Sequence, residues 1–322
     1  MPPQNRPFDT RILDWSEPGA VERAARLIAE GQPVGVPTET VYGLAADATN
    51  ETAVARVYAA KGRPGFNPLI VHVPDLEAAE RYASFDYPAR AVARRFWPGA
   101  VTLVLPLREG SGIAPRVTAG LRTLALRCPA HPAMQALLAA CRRPLAAPSA
   151  NASGRISPTT AEHVLRTLGG RIPLVLDGGP SGQGLESTIV AVRPEGVRRL
   201  RPGPVPLSDV AAAAGLVELQ GSGQGVEAPG QLTSHYAPTK PLRLDTTEAA
   251  PDEWLIGFGA VAGDETLSAS GSLEQAAVNL FGALHRAEEQ ERPRIAVAPI
   301  PPHGIGAAIA DRLRRAAAGA GR

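Results

Sequence analysis

The chain has 322 residues, with 33 Lys and Arg against 31 Asp and Glu and a formal net charge of +2. That length accommodates two domains, each with its own core, while the near-neutral balance excludes a polybasic nucleic-acid tail and an acidic disordered chain. The two cysteines, Cys128 and Cys141, exclude a disulfide scaffold and a four-cysteine zinc site, and fit a reducing compartment. The first ten residues carry no signal-peptide pattern, and nowhere do 18 apolar residues run together. The expectation is a soluble, cytoplasmic protein with no membrane association.

In chain order, Glu17 to Glu30 places Val21, Ala24, Ala25 and Ile28 on one helical face, with Gly31 as a stop. Pro33–Pro37 reads as a short buried strand, and Asn50 caps a helix through Ala60. Leu69–Val73, Val101–Leu107, Thr123–Arg127, Pro173–Leu176 and Ser187–Val192 read as strands. Helices are expected at roughly 75–83, 88–97, 131–141 and 158–168, the last capped by Ser157 with Pro158 at its first position. These elements make an α/β domain with a mixed sheet over residues 1–206. Residues 207–240 begin as an alanine-rich helix and continue as a glycine-rich linker that ends in His235, Tyr236 and Pro238. Residues 241–322 form a smaller β/α unit, with helices expected from Ser272 to about Glu289 and from Ile305 to Ala317.

Chemistry-bearing residues gather at expected strand ends, where α/β sheets bind ligands. Pro37–Ala48 carries hydroxyls and a carboxylate, although a turn and helix cap would use the same residues. Lys61, Arg63 and Asn67 share a Gly/Pro loop that suits an anionic ligand. Lysine survives only at Lys61 and Lys240 in an arginine-dominated chain, which hints that an ammonium is needed at 61. His72, inside the next strand, suits either a core or a site role. Ala147–Thr160 combines Ser149, Asn151 and Arg155 with a helix start that can cradle phosphate. Asp177–Gly179 and Glu186–Thr188 bracket a glycine-rich flap, and Arg201 precedes a Pro-Gly turn. No Walker A loop, GxSxG elbow, HExxH or GxGxxG is present. Cations, hydroxyls and amides on loops are the equipment of phosphoryl or nucleotidyl transfer, where positioning and charge neutralisation dominate.

Taken together, PTETVYGL, AKGRPGFNPLIVHV, FWPGAVTLVL, LRCPAHP, APSANASGRISPT, DGGPSGQGLESTIV and LRPGP resemble the YrdC-like threonylcarbamoyl-AMP synthase family. HYAP and the terminal PPHGIGAAIADRLRRAA resemble its two-domain form. The resemblance implies a YrdC-like twisted mixed sheet with flanking helices, then a small Rossmann-like C-terminal α/β domain. It also implies synthesis of threonylcarbamoyl-AMP and pyrophosphate from L-threonine, bicarbonate and ATP with Mg²⁺, for threonylcarbamoyladenosine modification of tRNA. Further partners would be tRNA or the downstream threonylcarbamoyl transferase proteins. Carried over by similarity, Thr38, Thr40, His72, Arg127, Ala147 and Ser187 would hold threonine. Lys61, Arg63, Asn67, Thr123, Ser149, Asn151, Ser157 and Arg201 would hold ATP, with Lys61 and Arg63 as the catalytic pair. The linker would fold back as a lid through Thr233, His235 and Tyr236. Metal ligands are not identifiable. Two other readings are an RNA-binding module, disfavoured by low charge and few aromatics, and a carbamoyl-transfer domain like those of hydrogenase maturation, whose extra segments need cysteines that this chain lacks.

Overall fold

A computed structural model describes residues 8–221, 227–229 and 235–321 of the protein. In chain order the first lobe runs β1 (Arg11–Asp14), α1 (Ala20–Ala29), β2 (Val34–Val36), β3 (Gly43–Asp47), α2 (Glu51–Lys61), β4 (Ile70–His72), α3 (Leu76–Glu80) and α4 (Tyr87–Phe96). It continues with β5 (Val101–Pro106), α5 (Pro115–Thr118), β6 (Thr123–Arg127), α6 (Pro132–Cys141), β7 (Leu145–Ala146), α7 (Ala161–Leu168) and β8 (Leu174–Asp177). β9 (Thr188–Arg193), β10 (Gly196–Arg201), α8 (Leu207–Ala214) and β11 (Glu218–Leu219) follow. The second lobe holds β12 (Leu242–Arg243), β13 (Glu253–Gly257), β14 (Glu265–Thr266), α9 (Leu273–Glu289), β15 (Arg294–Val297) and α10 (Gly306–Gly319).

The first lobe is built on an 11-stranded mixed sheet of order β1-β8-β2-β3-β7-β4-β6-β5-β9-β10-β11. The second carries four strands in the order β12-β15-β13-β14, all pairs parallel, with α9 and α10 packed on them as in a small Rossmann-like unit. Where capping chemistry is explicit the expected helix starts hold: the Asn50 side chain accepts from the N–H groups of Thr52 and Ala53, and Ser272 caps α9. One expected cap does not form. Thr160, not Ser157, caps α7, because the Ser157 hydroxyl is taken by Glu186, 2.5 Å away. The Pro37–Ala48 stretch also hides a strand, β3, entirely buried and antiparallel to β2.

Side chains alternate across the central strands, and the two faces differ. Val71, Leu103, Leu105, Leu124, Leu126, Val190 and Val192 point into the main core under α2 and α4. The opposite face carries Ile70, Val104, Ala125, Ile189 and Ala191, a smaller cluster closed by Ala228 of the linker. His72 shares that face with Ile70, and Arg127 shares it with Ala125. The register pairs His72 with Arg127 directly. In the turn after β10, a Cβ on Gly203 would lie 2.3 Å from the Thr188 nitrogen, so only glycine lets that turn close over the start of β9.

Candidate functional site

A cleft opens on this second face. It is lined by Thr38, Thr40, Arg63, His72, Arg127, Ala147, Ser149, Arg201 and His235 among the expected site residues, and by Val41, Ile70, Glu186 and Pro229 besides. Its free space is only about 50 Å³. Lys61, Asn151, Ser157, Ser187 and Tyr236 are buried just behind this lining. Asn67 is buried as well, and neither of its side-chain amide atoms has a partner among the described residues. Thr123 starts β6, four residues before Arg127 and on the same sheet face, and is not part of the lining. Thr233 lies outside the described residues.

The first wall is the loop between β2 and β3. The Thr38 hydroxyl donates to the Val41 carbonyl at 2.6 Å and meets Thr40 Oγ1 at 2.9 Å. Tyr42 crosses to the glycine-rich flap, donating to Asp177 and to the Gly179 carbonyl, while Ser181 donates to the Thr38 carbonyl. Two motifs far apart in sequence thus clamp each other. Arg127 donates to Thr40 Oγ1 at 2.8 Å and to the Gly99 carbonyl at 3.1 Å. Its Nη2 lies 2.6 Å from Glu39 Oε1. Sequence reasoning did not single out Glu39, which here supplies the carboxylate facing Arg127.

The second wall is cationic. Lys61 is 3% exposed, at the end of α2. Its Nζ donates to the Ser149 carbonyl at 2.5 Å and to both oxygens of Asn151. Arg63 donates to the Asn67 and Pro68 carbonyls. Arg201 donates to the carbonyl and hydroxyl of Ser187, and Ser187 Oγ lies 2.7 Å from Thr102 Oγ1. None of these three cations forms an ion pair among the described residues. Burial, and then Arg63, pull the Lys61 ammonium well below the ordinary lysine range. Burial lowers Arg63 to about 10, and Arg201 is lowered for the same reason. Burying charge without a counter-ion is costly, so the arrangement favours a ligand that brings negative charge.

The linker closes the cleft. Ala237 donates to the Gly154 carbonyl at 2.7 Å, His235 N–H donates to the Arg315 carbonyl at 3.2 Å, and Pro229 and His235 form the roof. Burial holds His72 and His235 neutral, each pushed down to about 3. Their Nδ1 atoms have no partner among the described residues. Glu186 was also missed as a site residue. The sequence places it in the Glu186–Thr188 motif at the end of the glycine-rich flap, without assigning it a role. Among the described residues no three His, Cys, Asp or Glu side chains converge as a metal site.

Two family models cover nearly all of the chain: the one described as telomere recombination (Sua5_yciO_yrdC) matches residues 26–203, and the threonylcarbamoyl-AMP synthase C-terminal domain matches 205–318. The threonylcarbamoyl-AMP synthase of Bacillus subtilis is 39% identical over 336 residues, 96% of each chain. That of Pyrococcus abyssi is 38% identical over 330 residues, 95% of each. The crystal structure of P. abyssi Sua5 complexed with L-threonine superposes with a TM-score of 0.85 at 35% identity, covering 96% of both chains.

Proposed function

The chain belongs to the threonylcarbamoyl-AMP synthase family, enzymes of the nucleotidyltransferase type, and from that premise we propose the reaction in detail. L-threonine, bicarbonate and ATP give L-threonylcarbamoyladenylate, pyrophosphate and water, and the product serves threonylcarbamoyladenosine formation on tRNA. The observation that carries this reading is the buried trio Lys61, Arg63 and Arg201, none of them in direct contact with a carboxylate among the described residues and only Arg201 with one nearby, Glu186, beside a cleft whose other end holds Arg127.

Arg127 grips the threonine carboxylate as a bidentate pair, displacing Glu39. Thr40, His72 and Ser187 meet the amine and hydroxyl, and the Ala147 backbone and Thr38 shape the wall. A neutral His72 suits this, because it offers the amine an acceptor and adds no charge to repel it. Bicarbonate supplies CO₂ to the neutral amine, forming the N–C bond of a carbamate, while its hydroxyl and the proton lost from the amine leave as water. A carbamate oxygen then forms a bond to the α-phosphorus, and the bond to pyrophosphate breaks. Lys61, Arg63 and Arg201 neutralise charge on the phosphates, with Asn67, Thr123, Ser149, Asn151 and Ser157 placing the nucleotide. No side chain forms a covalent bond to substrate. Mg²⁺ bound to the triphosphate would supply further neutralisation of the phosphate charge, beside Lys61, Arg63 and Arg201.

Residues 1–206 act as the catalytic domain and 241–322 as the C-terminal domain. Of residues 207–240, α8 and β11 belong to the first lobe's core and sheet; the linker beyond them serves as a lid, in which His235 and Tyr236 shield an adenylate prone to hydrolysis. Pro229 and His235 of the linker line the cleft, so this segment moves aside to admit the substrates. The test is incubation with ATP, bicarbonate and labelled threonine. A labelled adenylate with matching pyrophosphate is expected, and ATP consumption that needs no threonine refutes the reading.

A further inference from the structure

Helix α10 belongs to the second lobe, yet its Arg312 is wholly enclosed and turned toward the first. Its Nε donates to Glu186 Oε2 at 2.8 Å, its guanidinium carbon lies 5.2 Å from the Tyr236 ring centroid, and Nη1 meets Asp311 at 3.0 Å. Glu186 lines the cleft and takes the Ser157 hydroxyl on its other oxygen. The next residue, Ser187, receives Arg201. One run of contacts therefore joins α10 to the cationic wall. A buried ion pair is often no better for stability than well-packed apolar residues. Its presence at the rim of a cleft therefore argues for orientation.

We propose that Arg312 is a positioning residue that the second lobe supplies to the adenylate-forming site: it fixes the Glu186 carboxylate, and through it Ser157 and the Ser187–Arg201 contact. The inference rests on the synthase reading. The charged and titratable groups around Glu186 are Arg312 and Asp311 from α10, Arg201 from β10, and His235 and Tyr236 from the linker. Burial pushes the Glu186 carboxyl up, but Arg312 and Arg201 bring it below the usual range. Without Arg312 the burial effect gains, and Glu186 takes up a proton at higher pH. Arg312 itself keeps its charge: burial opposes it, and Tyr236, Glu186 and Asp311 more than compensate.

The experiment measures adenylate formation by the full chain as wild type, Arg312→Met, Glu186→Gln and the double variant, from about pH 5 to pH 8, spanning the range in which a raised carboxyl titrates. Arg312→Met is expected to lose about 100-fold in kcat/KM for ATP, the scale of an ångström-level misplacement, and its acid limb moves to higher pH. The double variant returns to the level of Glu186→Gln, because it leaves no orphaned buried charge. A merely structural Arg312 would move no acid limb. An active Arg312→Met with an unmoved limb overturns the proposal, as does a double variant about 10-fold or more below Glu186→Gln. If Arg312→Met does not fold, the comparison between the double variant and Glu186→Gln decides by the same criterion. Wild type that makes no adenylate overturns the synthase reading, and this proposal with it. An active wild type matched by Arg312→Met overturns the positioning role alone.

Discussion

The two lobes treat positive charge in opposite ways. On the second lobe four exposed arginines around the four-stranded sheet each face a carboxylate: Arg243 with Glu253, Arg286 with Glu265, Arg292 with Asp264, Arg294 with Asp252. In the first lobe's cleft Lys61, Arg63 and Arg201 are buried, and their donors go to carbonyl and hydroxyl oxygens. A chain selected for stability alone would arrange charges as the second lobe does. The cleft instead gathers cationic side chains in a low-dielectric place, where an arriving anion is bound most strongly. The lesson is that counter-ion accounting, more than pocket size, separates a site from a surface.

The sharpest way to break this contrast is substrate choice. If hydroxyl-bearing Thr40 and Ser187 read the threonine side chain, valine should fall by about 10⁴-fold in kcat/KM. Serine, which lacks one methyl, should fall by only about 10–200-fold. Steady-state pyrophosphate release with each amino acid checks it, and equal rates for valine and threonine would mean that the pocket is misread.

Next in size is Lys61→Met, which keeps the stem and removes the charge. Turnover is expected to fall about 10²–10³-fold, the loss typical of deleting one preorganised electrostatic partner, and the thermal shift given by ATP should shrink with it. Single-turnover adenylate formation and a melting curve with and without ATP measure both. Wild-type turnover would remove Lys61 from the machinery.

A smaller effect is expected where the lobes meet. His163 of α7 and His285 of α9 stack with ring centroids 3.8 Å apart, and burial lowers them to about 4 and about 3. The unfolded chain binds these protons near pH 6.5 and the folded one does not. Stability is therefore intact above about pH 6.5 and declines as the pH falls toward 4, by up to about 1.4 kcal/mol per pH unit for each imidazole. Replacing both by Phe should flatten the dependence of Tm on pH over that range, and an unchanged slope would refute the assignment. The smallest effect is reserved for the rim: Arg294→Gln should alter stability by less than about 1 kcal/mol and leave adenylate synthesis untouched.

The alternation of LIVHV and TLALR, the Asn50 and Ser272 caps, and the order βα units take along the chain were all legible because each depends on neighbours within a few residues. Motif resemblance reached further, and most of the residues it named do line or back one cleft. Other features were not legible. β3 was hidden because its residues are short and buried on both sides, without a period-2 signal. Ser157 read as a helix cap because nothing local shows that Glu186, 29 residues on, competes for its hydroxyl. Glu39 and Glu186 looked like ordinary loop carboxylates until Arg127 and Arg312 stood opposite them.

By itself, then, the sequence determined most of the elements, the family and the set of chemical groups, since propensity, patterning and motif spacing are written in adjacent residues. Only the tertiary structure decided which sheet face became core and which became cleft, because both faces of the central strands are apolar enough to be buried. It also decided which buried cations form no direct ion pair among the described residues, and that an arginine from the second lobe ends at the wall of the first. Such facts depend on long-range packing, where burial raises the cost of an unpaired charge and gives each surviving contact its meaning.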